Sequence, residues 1–256
     1  MRKDGKVLLE VKHLSVEFNG FKALTDVNMK IYDGELRVII GPNGAGKTTF
    51  MDLVTGKTTP TSGKILFDGT DITGKQTTEI TGRYHIGRKF QGPNVFDNMT
   101  VRENIEIAVS GYNSLFKCCF FRKSREYTDK VDEILRKVNL DDYAGFAAGD
   151  LSHGQRQWLE IGMVIAQDPK LIILDEPTAG MTAQETYKTG EMIKQMKGEH
   201  TLIVVEHDMD FVRQVAEYVT VLNYGQLLAE GTMEEIQNNP EVVAVYLKED
   251  GGGRHV

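Results

Sequence analysis

The 256-residue chain has only two cysteines, and Cys118 and Cys119 are neighbours. Adjacent thiols make a poor structural staple, and no CxxC or Cys/His spacing marks a metal site, so the expected setting is reducing and cytosolic. Basic charge is short as well: 30 Lys and Arg stand against 37 Asp and Glu, a formal net charge of −7. That balance argues against a nucleic-acid partner, which calls for a basic face. Long apolar runs are missing too. The densest, "LFKCCFF" at 115–121, is followed by Arg122 and Lys123 and is about a third of the roughly 20 residues that cross a bilayer. "MRKDGKVLLEVKHL" carries charges but no signal-peptide apolar run. No internal repeat or long linker is visible. What is present is ordinary for a folded protein, 40% hydrophobic and 26% charged residues, enough for one large core or a core with a lobe attached.

Periodicity gives an outline. "VLLEVKHLSVEF" and "LTDVNMKI" alternate around Asn19-Gly20, which reads as a hairpin. "ELRVIIG" at 35–41, apolar except for Arg37, predicts a strand covered on both faces. "KTTFMDLVTG" follows with Phe50, Leu53 and Val54 at helical spacing and Gly56 as a stop. "TSGKILFDGTDI" at 61–72 returns to strand and turn chemistry. From about 94 to 168, "TVRENIEIAV", "TDKVDEILRKVNL" and "GQRQWLEIGMVIAQ" follow helical periods, which predicts an inserted helical lobe. "KLIILDE" at 170–176 and "HTLIVVEHD" at 200–208 are buried-type strands flanking a helix around 184–197. Strands alternating with helices imply a parallel, doubly wound core. "VTVLNYGQLLAEG" predicts a second hairpin, and Thr232 with Glu235 a capping box. The fold class is therefore α/β, a parallel-sheet core with an N-terminal antiparallel β subdomain and a helical lobe. One domain is expected over 7–248, with 249–256 a disordered tail.

"GPNGAGKT" at 41–48 satisfies G-x-x-x-x-G-K-[ST] between a buried strand and an amphipathic helix, the setting of a phosphate-binding P-loop. Gly41, Pro42, Asn43, Gly44, Ala45 and Gly46 would wrap phosphate with backbone N–H groups at a helix N-terminus. Lys47 would reach the β- and γ-phosphates, Thr48 would ligate Mg²⁺, and Thr49 would add a donor. "LIILDE" carries Asp175 to a strand's carboxyl end for the Mg²⁺ shell, with Glu176 next to polarise water. His207, ending "VVEH", suits a γ-phosphate hydrogen bond in such company. Gln91 is either a reporter on Mg²⁺ and water or plain surface. Phe18 either stacks on adenine or sits in the core. In "LSHGQRQW", Ser152 and Gly154 taken alone read as a helix cap and a turn.

In chain order, Phe18, the P-loop, Gln91, "LSHGQ" at 151–155, "LIILDE" and His207 resemble the ATP-binding cassette (ABC) ATPases. The resemblance spans about residues 7–248 and implies P-loop NTPase architecture, ATP hydrolysis and Mg²⁺. It implies that Glu176, His207 and Lys47 carry catalysis. It further implies that Ser152, His153, Gly154 and Gln155 close over ATP held by a second cassette. "LSHGQ" departs from the family's LSGGQ at His153, and "TAGMT" at 178–182 departs from its small-small-Leu-Asp loop. "IGRKFQGPNVFDNMTVREN" and "LSHGQRQWLEIGM" most resemble ATP-binding subunits of bacterial urea importers. This implies urea or a short amide as solute, with branched-chain amino-acid import as the alternative and a soluble cassette uncoupled from any permease as a third class. The implied partners are a non-identical second cassette (a homodimer in isolation), two transmembrane permease subunits and, indirectly, a periplasmic solute-binding protein. The implied location is the cytoplasmic face of the inner membrane.

Overall fold

A computed structural model describes residues 5–89, 95–110 and 124–250, with side chains to 245. Alternation drives the first sheet. β1 (Val7–Phe18) and β2 (Phe21–Tyr32) pair antiparallel. Asn19 and Gly20 join them at φ 49° and 85°, the doubly left-handed turn that matches strand twist. β4 (Ser62–Phe67) and the two-residue β5 (Thr70–Asp71) complete the order β2-β1-β4-β5.

The second sheet has six strands in the order β10-β9-β3-β8-β7-β6. β3 (Leu36–Ile40), β7 (Leu171–Asp175) and β8 (Thr201–Val205) are buried at every position. β6 (Ile86–Lys89) and β9 (Tyr218–Asn223) also run parallel to their neighbours, and only β10 (Gln226–Gly231) turns back. Alternate residues split between two cores. Leu36, Val38 and Ile40 join the core beneath the helices, whereas Ile39 faces the core shared with the antiparallel sheet.

Helices cover both faces. α1 (Lys47–Val54) sends Phe50, Met51, Leu53 and Val54 into the core shared with the antiparallel sheet, and α2 (Thr77–Tyr84) adds Ile80. On the opposite face lie α3 (Val101–Ser110), α4 (Arg125–Lys137), α5 (His153–Ile165), α6 (Ala183–Met196) and α7 (Met209–Val215). α8 (Met233–Gln237) and α9 (Pro240–Asp250) close the chain. α5, α6 and α8 begin with complete capping boxes, Ser152/Gln155, Thr182/Glu185 and Thr232/Glu235. Among the described residues no helix is long and apolar enough to cross a membrane.

β6 was hidden from periodicity, because "IGRK" reads as polar. Its cations are buried by pairing instead: Arg88 with Asp52 and Asp175, and Lys89 with Glu160 at 3.2 Å. Arg37, the lone charge in β3, is solved the same way. Its guanidinium is 3% exposed and reaches Glu35 at 2.5 Å, Glu230 at 2.6 Å, Thr220 at 2.8 Å and the Lys30 carbonyl at 2.9 Å, 4.3 Å from the Tyr218 ring centroid. One side chain thereby joins β2, β3, β9 and β10. Arg37→Ala strands two carboxylates, and urea unfolding is expected to show a loss of about 3–5 kcal/mol.

Candidate functional site

Strand register assembles the site. Ile39 pairs with Val205, and Val205 with Asp175. The residues that follow, Ile40, Glu206 and Glu176, therefore leave the sheet side by side at its carboxyl edge, with Gly41 one residue further on, where ligands of open α/β sheets bind.

The glycines of the P-loop have separate physical reasons. Gly41 passes so close to β9 that a Cβ would lie 2.1 Å from the Leu222 carbonyl oxygen. Gly44 and Gly46 adopt φ of 78° and 99°, the left-handed turns that let a loop present consecutive N–H groups. Gly46 caps α1 without any side-chain hydrogen bond. The helix start is left to an external acceptor, and its dipole favours an anion. The Lys47 ammonium donates to the carbonyls of Gly41 at 2.6 Å and Pro42 at 3.0 Å, folding back over the loop. Asn43, Gly44 and Thr48 are exposed, Pro42 and Thr49 half-buried, and Ala45 buried.

Asp175 ends β7 almost fully buried, its carboxylate 3.0 Å from Arg88, which also holds Asp52 at 2.5 Å. Burial pushes its carboxyl above the usual range. Arg88 pulls the other way, while the nearby charges of Glu176 and Asp52 add to the rise. The Thr48 hydroxyl and the Asp175 carboxylate are hard oxygen donors, the type Mg²⁺ takes when phosphate and water complete its shell.

Glu176 sits at φ 47°, a left-handed conformation that disfavours a side-chain-bearing residue by roughly 1–2 kcal/mol. Its N–H is fixed to the Val205 carbonyl at 2.9 Å. His207 Nδ1 lies 3.6 Å from the Glu176 carboxylate on a ring that remains mostly exposed. Beneath them is Glu206, which sequence reasoning missed. It is 1% exposed and accepts from the Thr178 N–H and hydroxyl at 3.1 and 2.6 Å and from the His207 N–H at 3.1 Å. The signal was present: an acidic residue ending an otherwise apolar strand, directly before the histidine. Glu206 ties the loop after Glu176 to the loop bearing His207.

The 152–155 segment is the N-cap and first turn of α5, so Gly154 is helical rather than the loop turn its bare reading expects. Ser152 caps α5, as a bare helix start would. Its hydroxyl also faces Glu185 of the same chain at 3.3 Å. A Cβ on Gly154 would lie 2.5 Å from that carboxylate, so a side chain there would push Glu185 aside. Glu185 is held below the usual carboxylate range by the Thr182 N–H first, then by the Thr182 hydroxyl, Ser152 and His153. Phe18 is no core residue: it is 45% exposed at the hairpin tip, cross-strand from an even more exposed Phe21. Gln91 lies outside the described residues. An open cleft of about 770 Å³ lined by Lys130, Glu133, Lys137, Glu199 and His200 contains none of the motif residues.

A family model described as ABC transporter matches residues 24–179, and one for the branched-chain amino acid ATP-binding cassette transporter matches 226–247. The high-affinity branched-chain amino acid transport ATP-binding protein BraF of Pseudomonas aeruginosa is 38% identical over 94% of this chain and 98% of its own. Among solved structures, the ADP conformation of the cassette MJ1267 is 31% identical with a TM-score of 0.82, covering 94% of this chain and 98% of its own. A dimeric post-hydrolysis state of the cassette MJ0796, bound to ADP and Pi, is 26% identical with a TM-score of 0.73, covering 88% and 99%.

Arg88→Ala removes the cation between Asp52 and Asp175. The protein is expected to lose about 3–5 kcal/mol at neutral pH by urea unfolding. The Asp175 carboxyl, already raised by burial, then rises further, and a raised carboxyl destabilises the fold as pH climbs through it. The deficit should therefore shrink toward pH 5.

Proposed function

This chain belongs to the ABC transporter family of ATP-hydrolysing cassettes, and on that premise we propose that it powers a branched-chain amino-acid importer. The observation that carries the solute class is the C-terminal match at 226–247, backed by the BraF likeness over nearly the whole chain. Urea, the solute implied by the motif resemblance, finds no counterpart in these relatives, so the alternative reading takes its place.

The chemistry follows from the site. Residues 41–46 cradle the triphosphate of ATP with backbone N–H groups at the start of α1. Lys47 leaves its two carbonyl partners to offset β- and γ-phosphate charge, and Thr49 adds a hydrogen bond. Thr48, Asp175 and Gln91 would hold Mg²⁺. Mg²⁺, when bound, neutralises charge that builds on the phosphate oxygens. Glu176 accepts a hydrogen bond from the attacking water and draws on its proton. His207 donates to the γ-phosphate and keeps the Glu176 carboxylate oriented. Phe18 offers its exposed ring to adenine. Ser152, His153, Gly154 and Gln155 of a second cassette cover the nucleotide and exclude bulk water.

The working unit is then a pair of cassettes, in keeping with the dimeric ADP and Pi state of the MJ0796 relative. Its natural mate is a non-identical cassette, with two permease subunits and a periplasmic binding protein completing the importer at the cytoplasmic face of the inner membrane. Each cassette spans 7–248, with residues 94–168 as its helical lobe, while α9 runs on to Asp250, two residues into the segment expected as a disordered tail.

Glu176→Gln keeps shape and hydrogen bonding but loses the proton acceptor. It should run as a dimer on size-exclusion chromatography with MgATP and hydrolyse at least about 100-fold more slowly than wild type. A variant that stays monomeric, or turns over normally, removes Glu176 from the role. Deleting the chain from its host is expected to abolish high-affinity leucine, isoleucine and valine uptake. Loss of urea uptake with amino-acid uptake intact would return the solute to urea.

A further inference from the structure

The two places where the chain departs from the cassette pattern, His153 and the 178–182 loop, touch each other. His153 Nε2 lies 3.0 Å from the Ala179 carbonyl oxygen. A carbonyl only accepts, so Nε2 carries a proton and donates. The Gln157 side chain stands 3.3 Å from the same nitrogen, one helical turn along α5. Gly180 turns at φ 73°, with its Cβ position 3.2 Å from Nε2, so the loop bends around the imidazole. A glycine at 153, the family's usual residue, could make none of these contacts.

Both ends of this contact lead to the chemistry. Ala179 is three residues beyond Glu176, and its N–H donates to the Glu176 carbonyl at 3.2 Å. Thr178 between them is anchored to buried Glu206, which also holds the His207 N–H. Two residues past Gly180, Thr182 caps α6 with Glu185, and the same carboxylate receives the Ser152 hydroxyl. The path from the Glu176 backbone to the signature serine runs through the Ala179 N–H and carbonyl, His153 and its chain neighbour Ser152.

We propose that His153 is a positioning residue that latches the 178–182 loop to the 152–155 turn of its own chain. Occupancy of the chain's own P-loop is thereby transmitted to the surface it presents to a neighbour's nucleotide. The inference rests on the proposed cassette pairing, but the latch itself lies within one chain and can be measured there.

The test is hydrogen–deuterium exchange on the purified full-length chain with and without MgADP, at a dilution that size-exclusion chromatography shows to be monomeric, so that no neighbouring nucleotide covers 152–157. In the His153-containing protein, nucleotide slows exchange at 41–49 and also at 178–182 and 152–157. Adding His153→Gly should leave the P-loop response in place and cut the response at 152–157 by about threefold or more. His153→Gln, which restores an N–H donor, should recover it, a rescue that a merely structural role does not predict. Gly180→Ala, which crowds the ring from the loop side, should reproduce the glycine phenotype if His153→Gly fails to fold. The latch is overturned if the 152–157 response survives in His153→Gly, if His153→Gln is equally defective, or if that response never occurs in the His153 protein. No protection at 41–49 in any variant would instead remove nucleotide binding, and with it the proposed function.

Discussion

Parallel register is the constraint on which the site depends. β8 and β7 contribute Glu206 and Glu176 from equivalent positions, and β3 contributes Gly41 one residue further along, because Ile39, Val205 and Asp175 are aligned across three strands. Side chains alternate along a strand, so a slip of one residue would exchange the two cores and carry each functional residue to the wrong face. The apolar runs of these strands suit both faces. Register is fixed instead by the exceptions: Arg37 on β3, Arg88 on β6 and Thr220 on β9, each of which finds its polar partners in one alignment only.

Those exceptions also explain what the sequence could and could not convey. The P-loop, the LIILDE strand, both hairpins and the Thr232 cap are local patterns in which turn and cap residues do their own specifying, and each appears where its pattern stands. β6 was invisible because its two cations are buried by carboxylates 36, 71 and 87 residues away (Asp52, Glu160 and Asp175), so no window around "IGRK" contains the reason. Glu206 had a local sign, an acid ending an apolar strand before His207, but its Thr178 partner comes from the loop after β7, the neighbouring strand. Phe18 was ambiguous until the hairpin tip was seen to hold it out of both cores.

The site is costly to the fold in two places at once. Glu176 occupies a backbone conformation its side chain disfavours, and Asp175 is buried against its own charge. Strain and buried charge of this kind persist when the surrounding structure over-determines them, and here Arg88, Glu206 and the capping box of α6 do so. Rigidity around Glu176 then preserves its orientation toward His207, while the exposed faces of Thr48, His207 and the 152–155 turn remain open to ligand.

Arg37 has a consequence for cooperativity. Because one guanidinium binds the Lys30 carbonyl of the antiparallel sheet together with Thr220 and Glu230 of the parallel one, neither layer can melt without exposing the other's buried charges. The hairpin that presents Phe18 is accordingly no detachable module. Excising it would leave a ragged edge rather than a smaller independent protein, and heating the intact chain should dissolve both layers in a single all-or-none step.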